Sequence, residues 1–180
     1  IKLVPKAGKT GVVERNGVTE SHNDGTVTTE GYETPADFEK YYVYGITDRR
    51  ITSSVIGTNF EVQGNGYIEI ENSELSGTFG TGAKVIVKEN GTDRVVEEFY
   101  VIIFGDIDGN GRINASDTTE LNSEIAAPQW SGRRNSVPYR VKAADLDLNS
   151  RINASDVTEL NSHIAGSSAI DQITGLSSEK

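Results

Sequence analysis

Asp106-Ile107-Asp108-Gly109-Asn110-Gly111-Arg112-Ile113-Asn114-Ala115-Ser116-Asp117 opens a stretch, residues 118–126, that reads as a helix. A second copy opens at Asp145: Asp145-Leu146-Asp147-Leu148-Asn149-Ser150-Arg151-Ile152-Asn153-Ala154-Ser155-Asp156, again with helical sequence behind it. An internal repeat of this kind decides how the rest of the chain is read. From Arg112 to Ala126 against Arg151 to Ala165, two positions differ: Thr118 against Val157, and Glu124 against His163. Each copy sets oxygen-bearing side chains at positions 1, 3, 5, 9 and 12 of a twelve-residue loop, the spacing of a calcium loop. Calcium is a hard cation that takes six to eight oxygens, and alternate residues of a short loop can point at it together.

The expected ligands of the first ion are Asp106, Asp108, Asn110, the carbonyl of Arg112, and Asp117. Those of the second are Asp145, Asp147, Asn149, the carbonyl of Arg151, and Asp156. Asn114 and Asn153 have two readings. Either is a ligand, directly or through water, or an N-cap with the Asp three residues on completing a capping box. Gly111 suits the sharp bend at position 6; Ser150 departs from it and predicts a strained or shifted backbone in the second loop.

What precedes each loop separates two kinds of calcium motif. Residues 98–104 read as a strand, and residues 137–144 are too short and proline-broken for a full helix. Each copy is therefore expected to be a half-hand, a loop with an exiting helix only. A sensor that opens paired helices is disfavoured. On the helices, Thr118, Leu121 and Ile125 form one stripe, matched by Val157, Leu160 and Ile164, and these are expected to pack helix on helix. The opposite face carries Ser116, Thr119, Glu120 and Ser123, matched by Ser155, Thr158, Glu159 and Ser162, flanked by Ala115, Asn122, Ala154 and Asn161. Packing explains the stripe; it leaves the identity of the two outer faces unexplained, and either recent duplication or selection for a shared partner accounts for it.

The 180-residue chain is acidic, with 17 basic against 27 acidic residues and a formal charge of −10. That argues against nucleic acid and anionic membrane surfaces as partners. Cysteine is absent, which removes disulfides, zinc thiolates and thiol nucleophiles. No apolar run reaches a membrane-helix length. Methionine is absent and the chain opens at Ile1, so it reads as a fragment with any signal peptide outside it. Residues 1–104 read as all-β, with strands expected at 41–46, 51–56, 67–71, 84–88 and 95–104. Turn signals stand at Asn16-Gly17, Asp24-Gly25, Asn65-Gly66 and Asn90-Gly91, the last expected as a type I′ hairpin. Residues 35–40 suggest one helical turn. The expected layout is two domains: a sandwich-like or elongated β module at 1–104, then a small α domain at 105–180 with repeats at 106–127 and 145–166 and an insert at 128–144.

The duplicated D-x-D-x-N-x-R-I-N-A-S-D loops, with Asp at position 12 and one helix behind each, resemble the dockerin family of bacterial cellulosomes over residues 105–166. Residues 53–104 and the junction Val101-Ile102-Ile103-Phe104-Gly105-Asp106 look like the β X-modules that precede dockerins in some anchoring scaffold proteins. The resemblance implies two Ca²⁺ ions, a cohesin module of a scaffold or cell-surface protein as partner, and a secreted, extracellular setting with the chain held at the surface through that partner. It implies no catalytic residue and no small-molecule substrate. In dockerins, the positions matching Ala115, Ser116, Asn122 and Ser123, with Ala154, Ser155, Asn161 and Ser162 in the second copy, contact cohesin, so two orientations related by a half-turn become possible.

Residues 105–180 hold 11 acids and 7 bases, so two calcium ions bring that part near neutral, and chelation is expected to melt it while the β module persists. Within the insert, Arg133, Arg134, Arg140 and Lys142 face no acid of their own. Trp130 and Tyr139 are expected to anchor it on the acidic β module, unless it is a solvated basic loop. The rival readings are an enzyme, a carbohydrate-binding module using Tyr32, Tyr41, Tyr42 and Tyr44 as a stacking platform, and a calcium-stiffened adhesion segment. Glu97 and Glu98 are adjacent on a strand and are expected to face opposite ways.

Overall fold

The computed structural model describes residues 1–22, 40–47, 51–132 and 136–180. Six strands form the main sheet: β2 (Val12–Arg15), β3 (Val18–Ser21), β4 (Tyr41–Tyr44), β6 (Gly66–Glu71), β7 (Lys84–Glu89) and β8 (Val95–Val101), in the order β3-β2-β4-β8-β7-β6. All neighbours are antiparallel except β4 and β8, which pair parallel at Tyr42 with Tyr100 and Val43 with Val101. A second sheet joins β1 (Lys2–Pro5) to β5 (Phe60–Gln63).

Successive side chains of a strand point to opposite faces, and both faces of this sheet are used. Val13, Tyr41, Val43, Val85, Val87, Phe99 and Val101 face β1, β5 and a short helix, α1 (Ser53–Asn59), in the first core with Leu3, Ile56 and Phe60. Val12, Tyr42 and Tyr44 face the other way, into a second core with Ile102, Phe104, Ile107, Leu121, Trp130, Leu146 and Leu160. That second core spans the expected domain boundary. The repeats lie against the sheet, so Phe104 marks where the repeat begins and not where packing stops.

Several expectations change here. Residues 51–56 are not a strand. Thr52 takes the N-cap position of α1, its carbonyl accepting from Val55 N–H at 3.0 Å, and Ile56 is buried beneath the sheet. The β-branched run Ile51-Thr52-Ser53-Ser54-Val55-Ile56 suits a strand locally, but tertiary packing prevails. The N-terminal part is thus not all-β. The type I′ hairpin lies at Asn16-Gly17, where both φ angles are positive (50° and 84°) and Arg15 pairs with Val18. After β7, a longer connection turns with positive φ at Gly91 and Asp93 instead, and Asp93 N–H donates to Glu89 O. The strand expected at 95–104 ends at Val101, and Ile102 N–H still donates to Val43 O at 2.9 Å. The suggested turn at 35–40, the Asp24-Gly25 signal and Tyr32 lie outside the described residues.

The C-terminal part holds α2 (Ala115–Ala126), α3 (Pro138–Ala144) and α4 (Ala154–Ile164), then a hairpin, β9 (Ser168–Ile170) with β10 (Ser177–Glu179). Helix α3 corrects the half-hand expectation for the second copy, whose loop is entered by about two helical turns. Pro138 sits at the first helical position, where its missing N–H is not needed. The insert folds back on the sheet. Tyr139 stacks on Tyr100 with ring centroids 4.6 Å apart, and Lys142 Nζ lies 3.1 Å from Glu14. Trp130 is buried in the second core with the Arg140 guanidinium 4.5 Å above its ring. Arg133 and Arg134 lie outside the described residues. The terminal hairpin had no signal in the sequence reading. It clamps the junction: the Gln172 side chain accepts from Phe104 N–H and donates to Phe104 O, both at 2.9 Å.

Candidate metal centres and partner face

The first loop gathers its carboxylates by local hydrogen bonds. Asp117 Oδ1 accepts from Ile107 N–H (2.7 Å) and Asp108 N–H (3.2 Å), and its Oδ2 accepts from Asn114 N–H (2.8 Å). The Asn114 side chain accepts in turn from Ser116 N–H, which completes a capping box at the start of α2. Carboxylate oxygens of Asp106, Asp108 and Asp117 fall within 4.8 Å of one another. Asp106 is fully buried. Its Oδ2 accepts from Thr81 N–H (2.8 Å) and Gly111 N–H (3.0 Å), and its Oδ1 has no hydrogen-bond partner.

A buried carboxylate oxygen without a partner is costly unless a cation meets it. Burial pushes the Asp106 carboxyl up to about 7, against the pull of the Thr81 and Gly111 amides, and the nearby Asp117 and Asp108 charges raise it further. Burial likewise raises Asp117. These are the properties of a site suited to a hard cation: an all-oxygen donor set, convergent, partly dehydrated, and electrostatically unfavourable unless a positive charge balances it. Asp106, Asp108 and Asp117 would hold calcium there.

The second loop repeats the arrangement with more exposure. Asp145, Asp147 and Asp156 also bring oxygens within 4.8 Å of one another. Asp156 Oδ1 accepts from Leu146 N–H at 2.8 Å and its Oδ2 from Asn153 N–H at 2.9 Å, while Asn153 caps α4 as Asn114 caps α2. Both oxygens of Asp145 are taken within the loop, Oδ1 by Asn149 N–H (3.1 Å) and Oδ2 by Ser150 N–H (2.9 Å). Burial raises Asp145 and Asp156, whereas the Ser155 hydroxyl holds Asp147 below the ordinary range. The expected strain at Ser150 is present (φ 63°), and Leu148 shares it (φ 56°).

Asn110 and Asn149 each orient the loop, accepting from Arg112 N–H and Arg151 N–H and donating to Asp108 and Asp147. Both arginine side chains are exposed at the rim. Ser116 and Ser155 were read as partner-face residues. Their hydroxyls donate to Asp108 and Asp147, so each ties a ligand carboxylate to the first turn of its helix.

The helices pack through Leu121 and Leu160, both fully buried. Ile125 and Ile164 do not join them; they are 37% and 39% exposed. Thr118 Oγ1 donates to Asn161 Oδ1 at 3.0 Å, so Asn161 lies at the helix seam. Ala115, Thr119, Asn122 and Ser123 are exposed on α2, as are Ala154 and Thr158 on α4, with Glu159 and Ser162 half-buried. Glu120 is engaged by Arg140 Nη2 at 2.5 Å. Its repeat-mate Glu159 has no ion pair among the described residues.

The two positions where the repeats differ acquire a meaning that the sequence reading missed. Glu124 is buried, and its carboxylate accepts from the N–H groups of Gln129, Trp130 and Ser131 and from the Ser131 hydroxyl, which fixes the start of the insert. At the matching place on α4, His163 Nδ1 accepts from Ile170 N–H at 3.0 Å and receives the terminal hairpin. Thr118, where the second copy has Val157, makes the cross-helix hydrogen bond. The divergences sit where each copy meets its own surroundings.

Two carboxylate loops, each capped into a helix whose outer face is largely exposed, have the donor chemistry of a cation-binding module with a surface open to a partner. Residues 104–165 match the family model described as the Dockerin type I domain, which supports a dockerin in this part of the chain. Such a domain implies calcium-dependent protein anchoring through a cohesin module. No curated protein and no solved structure matches the chain.

Proposed function

We propose that the chain locks a secreted cellulosomal protein to a cohesin on a scaffold or cell surface, and that the β part acts as a stiff, X-module-like brace for the dockerin. The observation that carries this reading is the pair of convergent carboxylate clusters, one with a buried oxygen lacking a partner, directly beneath two exposed helix faces of nearly identical sequence. Two calcium ions would order the loops. Small side chains at Ala115 and Ala154 let a partner sheet approach closely, while Asn122, Ser123 and Ser162 supply directional hydrogen bonds. The brace is supported by the shared second core, the Tyr139–Tyr100 stack and the Lys142–Glu14 pair.

The carbohydrate-binding reading has less behind it. Tyr41, Tyr42 and Tyr44 are buried in the two cores and offer no flat exposed row. For catalysis, Glu97 is tied to Arg15 at 2.7 Å while Glu98 pairs with Lys84 on the other face, so the two carboxylates share no cleft.

The test is calorimetric titration of the chain against a panel of cohesins, with calcium and then with chelator. Tight one-to-one binding that chelator abolishes is expected, and a double Ala115→Leu, Ala154→Leu variant is expected to lose it while still binding calcium. Calcium binding without any cohesin binding would sink the anchoring reading, and normal cohesin binding by the double variant would sink the face assignment.

A further inference from the structure

We propose that residues 79–81, in the β part of the chain, are the outer wall of the first calcium site, and that the two sites are consequently unequal: the first is closed by the β part, the second is self-contained. The inference rests on the calcium reading of both loops.

The contact is backbone on backbone. A Cβ placed at Gly80 would overlap the Gly109 carbonyl oxygen and come within 2.5 Å of Gly111 N. From the other side, a Cβ at Gly109 would fall 2.6 Å from Thr81 O, and one at Gly111 would fall 2.5 Å from Phe79 O. Real side chains do not tolerate such distances, so three glycines are required for the two segments to meet. Hydrogen bonds knit the seam: Thr81 N–H to Asp106 Oδ2 (2.8 Å), Ser76 Oγ to Gly109 O (2.6 Å), Ser73 Oγ to Thr81 O (2.6 Å) and Thr81 Oγ1 to Ile103 O (3.1 Å).

The second loop is an internal control. Its residues at the same places, Leu148 and Ser150, adopt the same left-handed backbone (φ 56° and 63°, against 74° at Gly109 and 80° at Gly111). The loop therefore forms without glycine. Both residues are exposed, Leu148 by 51%; Leu148 lines an open groove with Lys40, Tyr42 and Tyr44 of the β part, wide enough for its side chain, where Gly109 and Gly111 meet backbone. The glycines of the first loop are thus explained by the close approach of residues 79–81 and not by the turn alone. The consequence reaches the ligands. Thr81 N–H occupies one oxygen of Asp106 and helps to bury the carboxylate, which leaves Oδ1 aimed into the loop without a partner. Asp145 has both oxygens satisfied inside its own loop. A preformed, dehydrated ligand loses less freedom when the ion arrives, so folding of the β part and filling of the first site reinforce one another.

The experiment titrates the full chain with calcium chloride in a calorimeter, using two single-site parents: Asp147→Ala, which leaves the first site, and Asp108→Ala, which leaves the second. Gly80→Ala is expected to weaken calcium binding about fivefold or more in the first parent, the low end of what overpacking a tight contact does to an equilibrium. In the second parent it is expected to change affinity by less than about twofold, since distant sites act independently. Should Gly80→Ala unfold the β part, as a thermal melt would reveal, Ser76→Ala replaces it. Removing that one hydrogen bond is expected to weaken the first site about threefold or more and to spare the second. Equal weakening of both parents, or no weakening of the first by either substitution, overturns the proposal. If the unmodified chain takes up no calcium, the underlying calcium reading fails, and the proposal falls with it.

Discussion

Glu124 offers the sharpest test of how the insert is held. Its carboxylate accepts from three successive backbone N–H groups at 2.7–3.2 Å and from the Ser131 hydroxyl at 2.7 Å, and it is 2% exposed. In Glu124→Ala, the amides of Gln129 and Ser131 regain water, because those residues are exposed and half-buried, whereas Trp130 is buried. A buried donor left alone costs about 1–3 kcal/mol, and exchanging a bond to a charged acceptor for water costs on the order of 1.5 kcal/mol at each of the other two. The expected loss is about 4–6 kcal/mol. Glu124→Gln retains one acceptor oxygen but turns an NH₂ toward the donors, so roughly half that loss is expected. The assay is urea denaturation in excess calcium, followed by fluorescence of Trp130, the chain's single tryptophan. Burial raises the Glu124 carboxyl, yet the Ser131 hydroxyl and the amides of Gln129, Ser131 and Trp130 together hold it below the ordinary range. A group with a depressed folded pKa stabilises above its unfolded value, about 4.3, and loses that contribution as pH falls through the folded one. The wild-type advantage over Glu124→Ala is therefore expected to shrink in acid. A loss below about 1 kcal/mol for Glu124→Ala, well under the buried-donor range, would refute the reasoning.

Chelation should do more than unfold the repeats. Tyr42, Tyr44 and Phe104 share a core with Leu121 and Leu160, so removing calcium is expected to lower the melting temperature of the β part as well; a calorimetric trace in which the β transition does not move would contradict that coupling. His163 accepts from Ile170 N–H while burial, and then the Lys180 charge, depress its pKa. The stabilisation from that contact should be full above the unfolded value, about 6.5, and fade as pH falls below it. His163→Ala is expected to flatten this part of the pH–stability profile. Leu148→Gly relieves a left-handed residue that is half exposed and should stabilise the calcium-loaded chain by up to about 1 kcal/mol. Leu160→Ala, which empties a fully buried site between helices, is expected to cost about 3–5 kcal/mol in the same denaturation assay.

The repeat, its two carboxylate clusters and its helices were legible because their determinants are contiguous. A twelve-residue loop coordinates through side chains at fixed spacing, and Asn114 and Asn153 cap helices through bonds to residues two and three positions away. Strands β6 and β7 were legible for a similar reason, since Ile68 and Ile70 alternate with Glu69 and Glu71, and Val85, Ile86 and Val87 form a short β-branched run between Lys84 and Lys88. Other features depended on groups far apart in the chain. Residues 51–56 are β-branched enough for a strand, and only the space beneath the sheet makes residues 53–59 a helix. Ile125 and Ile164 lie on the apolar stripe, yet they end 37% and 39% exposed, outside the buried core that holds Leu121 and Leu160. Nothing adjacent to Glu124 or His163 announces that one holds the insert and the other the terminal hairpin. The sequence by itself determined which carboxylates converge and which helices follow them. Tertiary structure decided that one sheet packs on both of its faces, that the repeats share its second core, and that Gly80 meets Gly109. Close packing depends on which surfaces approach, and a local stretch of chain carries no record of the partner that will cover it.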